Sequence, residues 1–173
     1  MQSAYHNLPT IGGYMQEAGR GYRATAADYK AQAEQAELSL NLEAAYPKEA
    51  GLKSYKRCYR LKRTAPSFVE ITDDLQLQKQ NTLFFNYLTP LKPHRDADGS
   101  VVLSDTTEPV ARLVFSGMDL NFTIQEIKLD DKVLKKAWGE KLYRLQLEGV
   151  AEEAAWLQLR IYRHGEKEDV GKI

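Results

Sequence analysis

The feature that most constrains this chain is an alternation of apolar and polar residues with a period of two. In four separate runs every second residue is large and apolar, at 38–42, 120–124, 143–147 and 157–161. Because successive side chains of a β-strand point to opposite faces, this pattern predicts strands with one buried and one solvated face. Shorter apolar runs predict further strands at 68–71, 82–88, 101–104 and 111–115.

Turn-forming residues separate these runs at intervals of about ten residues. Clusters rich in Pro, Gly and Asp predict turns at 72–74, 92–100, 116–119 and 129–132. Many short strands with this spacing are typical of an all-β fold, and we expect an antiparallel β-sandwich of many strands. A helical turn that ends at Gly139 is expected within 133–145.

The chain shows no internal repeat and no change of composition that indicates a second domain. We therefore expect a single β-sandwich domain over 1–173, with an irregular lead-in at 1–35 and a polar tail at 165–173. The run 24–40 is rich in Ala, Gln and Glu but lacks a helical stripe of large apolar residues. We interpret it as an extended or loop segment that leads into the strand at Leu38.

Charge and hydropathy exclude several classes of protein. The 24 basic and 24 acidic residues give a formal net charge of 0, so no long-range field attracts nucleic acid. No run of about 18 apolar residues exists to cross a membrane, and the N-terminus has no signal-peptide pattern. The only cysteine, Cys58, excludes an internal disulfide and is interpreted as a half-buried residue rather than a reactive thiol.

A basic, tyrosine-rich run at 54–63 is the clearest candidate for ligand binding. Guanidinium groups pair with carboxylates and sulfates, and aromatic faces stack on sugars. Arg57, Tyr59 and Arg60 are therefore the candidate substrate-binding residues. The alternative, which the even mixture of charges favours, is an ordinary solvated sheet face.

His6 is the candidate metal ligand, because a neutral imidazole binds divalent transition metals well. A zinc site needs three or four ligands, however, and neither His94 nor His164 stands at a recognisable spacing from His6. On the residues alone, a structural or idle role for His6 is favoured. No catalytic residue is predicted, because the paired acids at 72–74 and 130–131 both lie in expected turns.

The order of several short motifs resembles the C-terminal region of the heparinase II/III-like family of bacterial polysaccharide lyases. The family pattern has a His-Asn pair, a "G..Q..G" stretch, an "AYP…G" segment, an Arg-bearing strand and a "v.i.D.l" strand. The matching residues are His6, Asn7, Gly13, Gln16, Gly19, Ala45, Tyr46, Pro47, Gly51, Arg60, Arg63, Val69, Ile71 and Asp73. The runs "DGSVVLSD" at 98–105 and "ARLVF" at 111–115 fit later strands of the family's sandwich, so the resemblance covers nearly the whole chain up to about Arg163.

The resemblance implies a helical (α/α) toroid followed by a β-sandwich, and β-elimination of uronic-acid-containing polysaccharides such as heparin and heparan sulfate. It also implies a divalent metal, usually zinc, held by an upstream "H.H.D" motif, a downstream Asp and the His that matches His6. This chain contains that His alone. We therefore expect the C-terminal sandwich portion of a larger lyase, with no metal bound and no activity by itself.

The partners that the resemblance implies are the toroid and the upstream part of the sandwich, together with an acidic polysaccharide. It implies a periplasmic or secreted location for the parent protein. Two alternatives from other classes remain: a carbohydrate-binding module that uses the Tyr and Arg residues of 54–63, and a structural interaction domain.

Overall fold

The computed structural model describes residues 3–166 and contains two antiparallel β-sheets. The smaller sheet has four strands in the order β1-β6-β11-β10: β1 (Pro9–Ile11), β6 (Asn81–Thr89), β11 (Lys141–Ala151) and β10 (Asn121–Lys128). The larger sheet has eight strands in the order β2-β3-β4-β5-β12-β9-β8-β7. Their bounds are β2 (Thr25–Ala31), β3 (Gln35–Asn41), β4 (Leu52–Lys62), β5 (Phe68–Leu77), β12 (Ala154–Arg163), β9 (Glu108–Gly117), β8 (Val101–Asp105) and β7 (Lys92–Arg95).

The inner faces of the two sheets share one core, and the prediction of an all-β antiparallel sandwich is confirmed. Leu145 and Leu147 of β11 are buried with Leu157 and Leu159 of β12, as the alternating runs predict. The run 120–124 departs from the prediction at its end. Ile124 is 41% exposed, because β10 is the edge strand of the small sheet and the core does not extend that far.

The turn predicted at 72–74 is wrong, because β5 continues through it to Leu77. Asp73 faces the interior there, and the buried ion pair described below explains how a carboxylate is accommodated in that position. The expected loop at 92–100 is partly strand, since 92–95 forms β7 and only the remainder turns.

The lead-in expected at 1–35 contains regular structure. β1 pairs with β6, and β2 forms an antiparallel hairpin with β3 across the run 24–40. β2 is exposed along nearly its whole length, so backbone pairing rather than a buried apolar face holds it. The tail expected at 165–173 lies almost wholly outside the described residues.

Within residues 3–166, helix is confined to short segments. Three 3-10 turns occupy Ser3–Tyr5, Glu43–Ala45 and Lys48–Ala50, and one α-helix, α1, covers Lys132–Trp138. The Asp131 carboxylate caps α1 by accepting hydrogen bonds from the backbone N–H groups of Val133 and Leu134, and the helix ends at Gly139 as predicted. Over residues 3–166 no helix combines the length and apolarity needed to cross a membrane.

Candidate functional site

Strand β4 carries all three residues predicted to bind substrate, and the pleat of the strand sends them to opposite faces. Arg57 points to the interior with Tyr55 and is only 1% exposed. Arg60 lies on the outer face of the large sheet, with its side chain 36% exposed. Because strand neighbours alternate, a single basic run cannot present Arg57 and Arg60 to the same ligand.

The interior group is a buried ion pair between Arg57 and Asp73. The guanidinium contacts the carboxylate through two parallel hydrogen bonds, Nε to Oδ1 at 2.6 Å and Nη2 to Oδ2 at 2.8 Å. The Tyr55 hydroxyl also donates to Asp73 Oδ1, at 2.7 Å. This bidentate geometry pairs the two buried charges with each other. Either charge left unpaired in an apolar interior would be strongly destabilising. The Arg57 guanidinium therefore serves the interior and is not presented to a soluble polysaccharide.

The predicted residue Tyr59 belongs to the same interior group. Its ring and that of Tyr55 flank the Arg57 guanidinium, with centroids 5.9 and 6.0 Å from the guanidinium carbon. The remaining Arg57 nitrogen, Nη1, donates to the backbone carbonyl of Asn7 at 2.7 Å. The ion pair is thereby connected to the N-terminal segment of the chain.

The predicted metal ligand, His6, lies in this N-terminal segment, residues 3–8. Its side chain is exposed, and its backbone carbonyl accepts a hydrogen bond from Leu8 N–H at 2.8 Å. In the described part of the chain no three His, Cys, Asp or Glu side chains stand close enough to hold a metal ion. The residues at 3–166 thus do not fit a closed zinc site around His6, which needs three or four protein ligands.

Asn7, the partner of His6 in the sequence motif, connects the two sheets. Its carbonyl accepts a hydrogen bond from Arg57 Nη1 of the large sheet, and its side-chain Oδ1 accepts one from the backbone N–H of Leu88 in β6 at 2.8 Å. The next carbonyl, that of Leu8, accepts Asn86 Nδ2 at 3.2 Å. The role of Asn7 that the structure shows is therefore attachment of the N-terminal segment to the sandwich.

The outer face of the large sheet carries a second cluster, which we call the cationic face: Arg60, Lys62, Phe68, Glu70, Arg160 and Tyr162. Strand register places Arg60, Glu70 and Arg160 in one row across β4, β5 and β12. Glu70 accepts Arg60 Nη2 at 2.5 Å through one oxygen and Arg160 Nε at 2.7 Å through the other.

An aromatic ring lies at the centre of the cationic face. The charged groups of Arg60, Lys62 and Arg160 all lie within 5.3 to 5.7 Å of the Phe68 centroid. The pKa of the Arg160 guanidinium is raised, mainly by its hydrogen bond to Glu70. Arg60 and Arg160 share the Glu70 carboxylate, and Lys62 adds a third cation, so the six named residues carry a net positive charge although the whole chain is neutral. Glu37 of β3, the register partner of Arg60, is the neighbouring acidic residue.

Sequence reasoning missed Arg160, Glu70 and Phe68 as members of this cluster. Glu70 lies in the next strand, 10 residues from Arg60, whereas Arg160 of β12 lies 90 residues from Glu70, and strand pairing brings the three together. The available signal was the polar face of 157–161, where Arg160 alternates with buried leucines. Cys58 shares this outer face and is half-buried, and burial together with the nearby Glu37 raises the pKa of its thiol.

Comparison with known proteins adds structural neighbours but no sequence relatives. No family model matches the chain, and no curated protein matches its sequence. Among solved structures, a heparinase III matches 98% of this chain with a TM-score of 0.67 at 12% identity. The heparan sulfate lyase HepC from Pedobacter heparinus matches 96% of it with a TM-score of 0.64, also at 12% identity.

The chain has the fold of one part of a heparinase III. It spans about a quarter of these structures, 25% of each of the two chains named above and 24% of another heparinase III gene product. At 12–13% identity the likeness shows the fold alone. The resemblance seen in the short motifs is therefore supported at the level of architecture.

Proposed function

We propose that this chain is the C-terminal β-sandwich portion of a polysaccharide lyase that acts on uronic-acid-containing glycans. The observation that carries the proposal is the match of 96–98% of this chain to one quarter of heparinase III structures. The order of motifs from His6 to Asp73 supports the same assignment. In this proposal the sandwich supports a helical toroid in the parent protein, which is periplasmic or secreted.

By itself, the chain is proposed to be inactive. β-Elimination needs a base for the C5 proton, an acid for the leaving oxygen and a group that neutralises the uronate carboxylate, all converging on one sugar. The interior group that brings Tyr55, Arg57 and Asp73 together is buried, and its polar atoms already bond to one another. A polysaccharide has no access to it.

An assay for unsaturated uronate on heparan sulfate, heparin and alginate tests the inactivity of the isolated chain. We expect no turnover on any of the three. Turnover that disappears in His6→Ala or Tyr59→Phe would contradict the proposal, because it would place catalytic groups within this chain.

The reading frame upstream of Met1 tests the proposed partners. We expect it to encode a secretion signal, a helical toroid and the "H.H.D" motif, which supplies a further metal ligand. A stop codon immediately upstream, with a ribosome-binding site before Met1, would refute the proposed toroid partner.

A second function, binding of acidic polysaccharide, is proposed for the cationic face. The observation that favours it is the grouping of Arg60, Lys62 and Arg160 around Phe68, in which Glu70 pairs with the two arginines and not with Lys62. The two arginines are held in register by Glu70, so less side-chain entropy is lost when they meet a sulfate or carboxylate. The predicted contact Arg60 is kept in this proposal, and Arg160 takes the place of the buried Arg57.

Calorimetry with heparan sulfate tests this binding, and dextran serves as the uncharged polysaccharide. We expect Arg60→Ala/Arg160→Ala to weaken binding at least tenfold, and Lys62→Ala to weaken it less. The matched control is Arg20→Ala/Arg23→Ala, which removes the same charge from exposed positions outside the sheet. Binding at a charged patch is expected to weaken with added salt, because ions screen the attraction between exposed charges. Equal loss in both double variants would contradict a specific site.

A further inference from the structure

A cleft opens between residues of both sheets, lined by Arg95 of β7, by the loop 98–100, and by residues of β9 and β10. Its volume is about 440 Å³, within the range of sites that hold small molecules. Phe115 and Phe122 line it from the two sheets, and the turns at 98–100 and 118–120 form its rim. None of the residues of the cationic face line this cleft, so it is a separate site.

One wall of the cleft is an open strand edge. The register of β8 with β9 ends at the pair Val101 and Leu113, whereas β9 continues to Gly117. Within the described residues, 114–117 pairs with β12 on one side only. Backbone N–H and C=O groups on the other side are therefore available to a ligand, since every residue carries one donor and one acceptor.

Arg95 is the cationic group of the cleft that remains without an acidic partner among residues 3–166. Its guanidinium lies over the ring of Phe122, 5.1 Å from the centroid. Stacking fixes the plane of a guanidinium and leaves its edge N–H groups free for a carboxylate. Arg112 differs, because Asp98 and the Ser100 hydroxyl already accept its donors.

The rest of the lining suits a hydroxylated body rather than a purely apolar one. The Asp119 carboxylate lies at the rim and can accept hydrogen bonds from ligand hydroxyls. The Ser116 hydroxyl donates to Gln158 Oε1 at 3.4 Å, so its oxygen remains to accept from a ligand hydroxyl. Asp119 also disfavours a second ligand charge, because like charges repel at short range. Phe115 and Met118 offer an apolar surface to the body of a ring.

We propose that this cleft binds a sugar acid of monosaccharide or disaccharide size. The ligand carboxylate pairs with the Arg95 guanidinium, its hydroxyls meet Ser116, Asp119 and the open backbone edge of β9, and its ring lies against Phe115. The proposal rests on the cleft alone and stands whether or not the parent protein is a lyase.

Titration of the isotope-labelled chain with glucuronate, followed through its backbone amide resonances, tests the proposal. We expect saturable shifts at 114–120 and clearly weaker binding of glucose, which has the ring but no carboxylate. Arg95→Gln is expected to weaken glucuronate binding about tenfold, the loss typical of one charge-assisted pair. Arg95→Lys keeps the charge without the bidentate fork, and an intermediate affinity is expected.

Arg20→Gln removes an equal charge at an exposed position outside the cleft and should bind glucuronate as the unaltered chain does. Absence of saturable shifts at 114–120, equal affinity for glucose, or an unchanged affinity in Arg95→Gln would overturn the proposal. Heparan sulfate binding by Arg95→Gln separates the two sites, since the cationic face lacks Arg95 and should retain its affinity.

Discussion

At the scale of single residues, Arg57 shows how strand parity decides the role of a basic side chain. The run 54–63 looks like a charged surface strand, yet Tyr55 and Arg57 face the core. The burial of Arg57 is possible because it pairs with Asp73, which lies two residues beyond the end of the strand predicted at 68–71. Neither residue alone predicts burial, because each is compatible with the interior only when the other is present.

Replacement of Asp73 tests how far the fold depends on this pair. Asp73→Ala leaves the Arg57 guanidinium buried and uncompensated, and we expect the free energy of unfolding to fall by about 3–5 kcal/mol. Urea denaturation measures the change. Asp74→Ala is the matched control, because Asp74 is exposed on the opposite face and its loss is expected to cost less than about 0.5 kcal/mol. Similar losses for the two variants would argue against the importance of the ion pair.

Three buried tyrosines predict a loss of stability at high pH. Burial raises the pKa of Tyr46, Tyr55 and Tyr87 above the ordinary value of 10.0, and the nearby Asp73 carboxylate acts in the same direction. The folded state holds these protons more tightly than the unfolded state. Their contribution is therefore fully present below pH 10.0 and declines as the pH rises above it.

Urea denaturation at about pH 9 and about pH 11 measures this linkage. We expect a lower free energy of unfolding at the higher pH, and a smaller decline in Tyr46→Phe, which has no proton to lose. The same decline in Tyr46→Phe as in the unaltered chain would show that this phenol does not contribute.

At the scale of elements, β9 depends on a close approach to β12. Gly117 has a φ of +137°, and a Cβ placed on it would lie 2.2 Å from the carbonyl oxygen of Trp156. Glycine is the residue that both the conformation and the space allow. The sequence places Gly117 in an expected turn, whereas the structure shows it at the end of a paired strand.

Gly117→Ala is expected to lower the free energy of unfolding by about 1–3 kcal/mol, because the end of β9 must move away from β12. Thermal unfolding and amide exchange at 114–117 measure the effect. Gly139→Ala controls for backbone strain alone, since Gly139 has a φ of +86° but no neighbour within 4 Å of an added Cβ. A loss no greater than that of Gly139→Ala would mean that the close approach is not limiting.

At the scale of the whole molecule, the N-terminal segment holds the two sheets together. The Asn7 carbonyl accepts a hydrogen bond from Arg57 of the large sheet. From the small sheet, the Asn7 side chain accepts one from Leu88 N–H, and the Leu8 carbonyl accepts one from the Asn86 amide. The Tyr46 hydroxyl adds a further bond to the Pro9 carbonyl at 2.7 Å. A segment expected to be an irregular lead-in thus contributes to the packing of the sandwich.

Deletion of residues 1–8 removes three of these bonds, one of them to the buried guanidinium of Arg57. We expect the free energy of unfolding to fall by about 3 kcal/mol, while the core contacts keep the chain folded. Deletion of residues 1–4 is the control and leaves the three bonds in place. Equal stability of the two truncated chains would refute the proposed role of the segment.

The sequence by itself determined the local character of this protein. Alternation and short apolar runs indicate most of the strands and the apolar face of each, because the pleat repeats every two residues whatever the strand pairs with. The strands β1, β2 and β7 carry no such pattern, and the sequence does not predict them. The short motifs from His6 to Asp73 indicated the lyase-like architecture that the structural neighbours share. The end of a helical turn at Gly139 was likewise readable from local chemistry.

Tertiary structure decided which side chains act together. The row of Arg60, Glu70 and Arg160 depends on the order and register of β4, β5 and β12. The burial of Arg57 depends on Asp73, its partner on the neighbouring strand β5. The open strand edge at the cleft exists because β8 begins at Val101, opposite Leu113, whereas β9 continues to Gly117. Strand order and register are set by contacts between residues distant in the chain, and a local pattern carries no record of them.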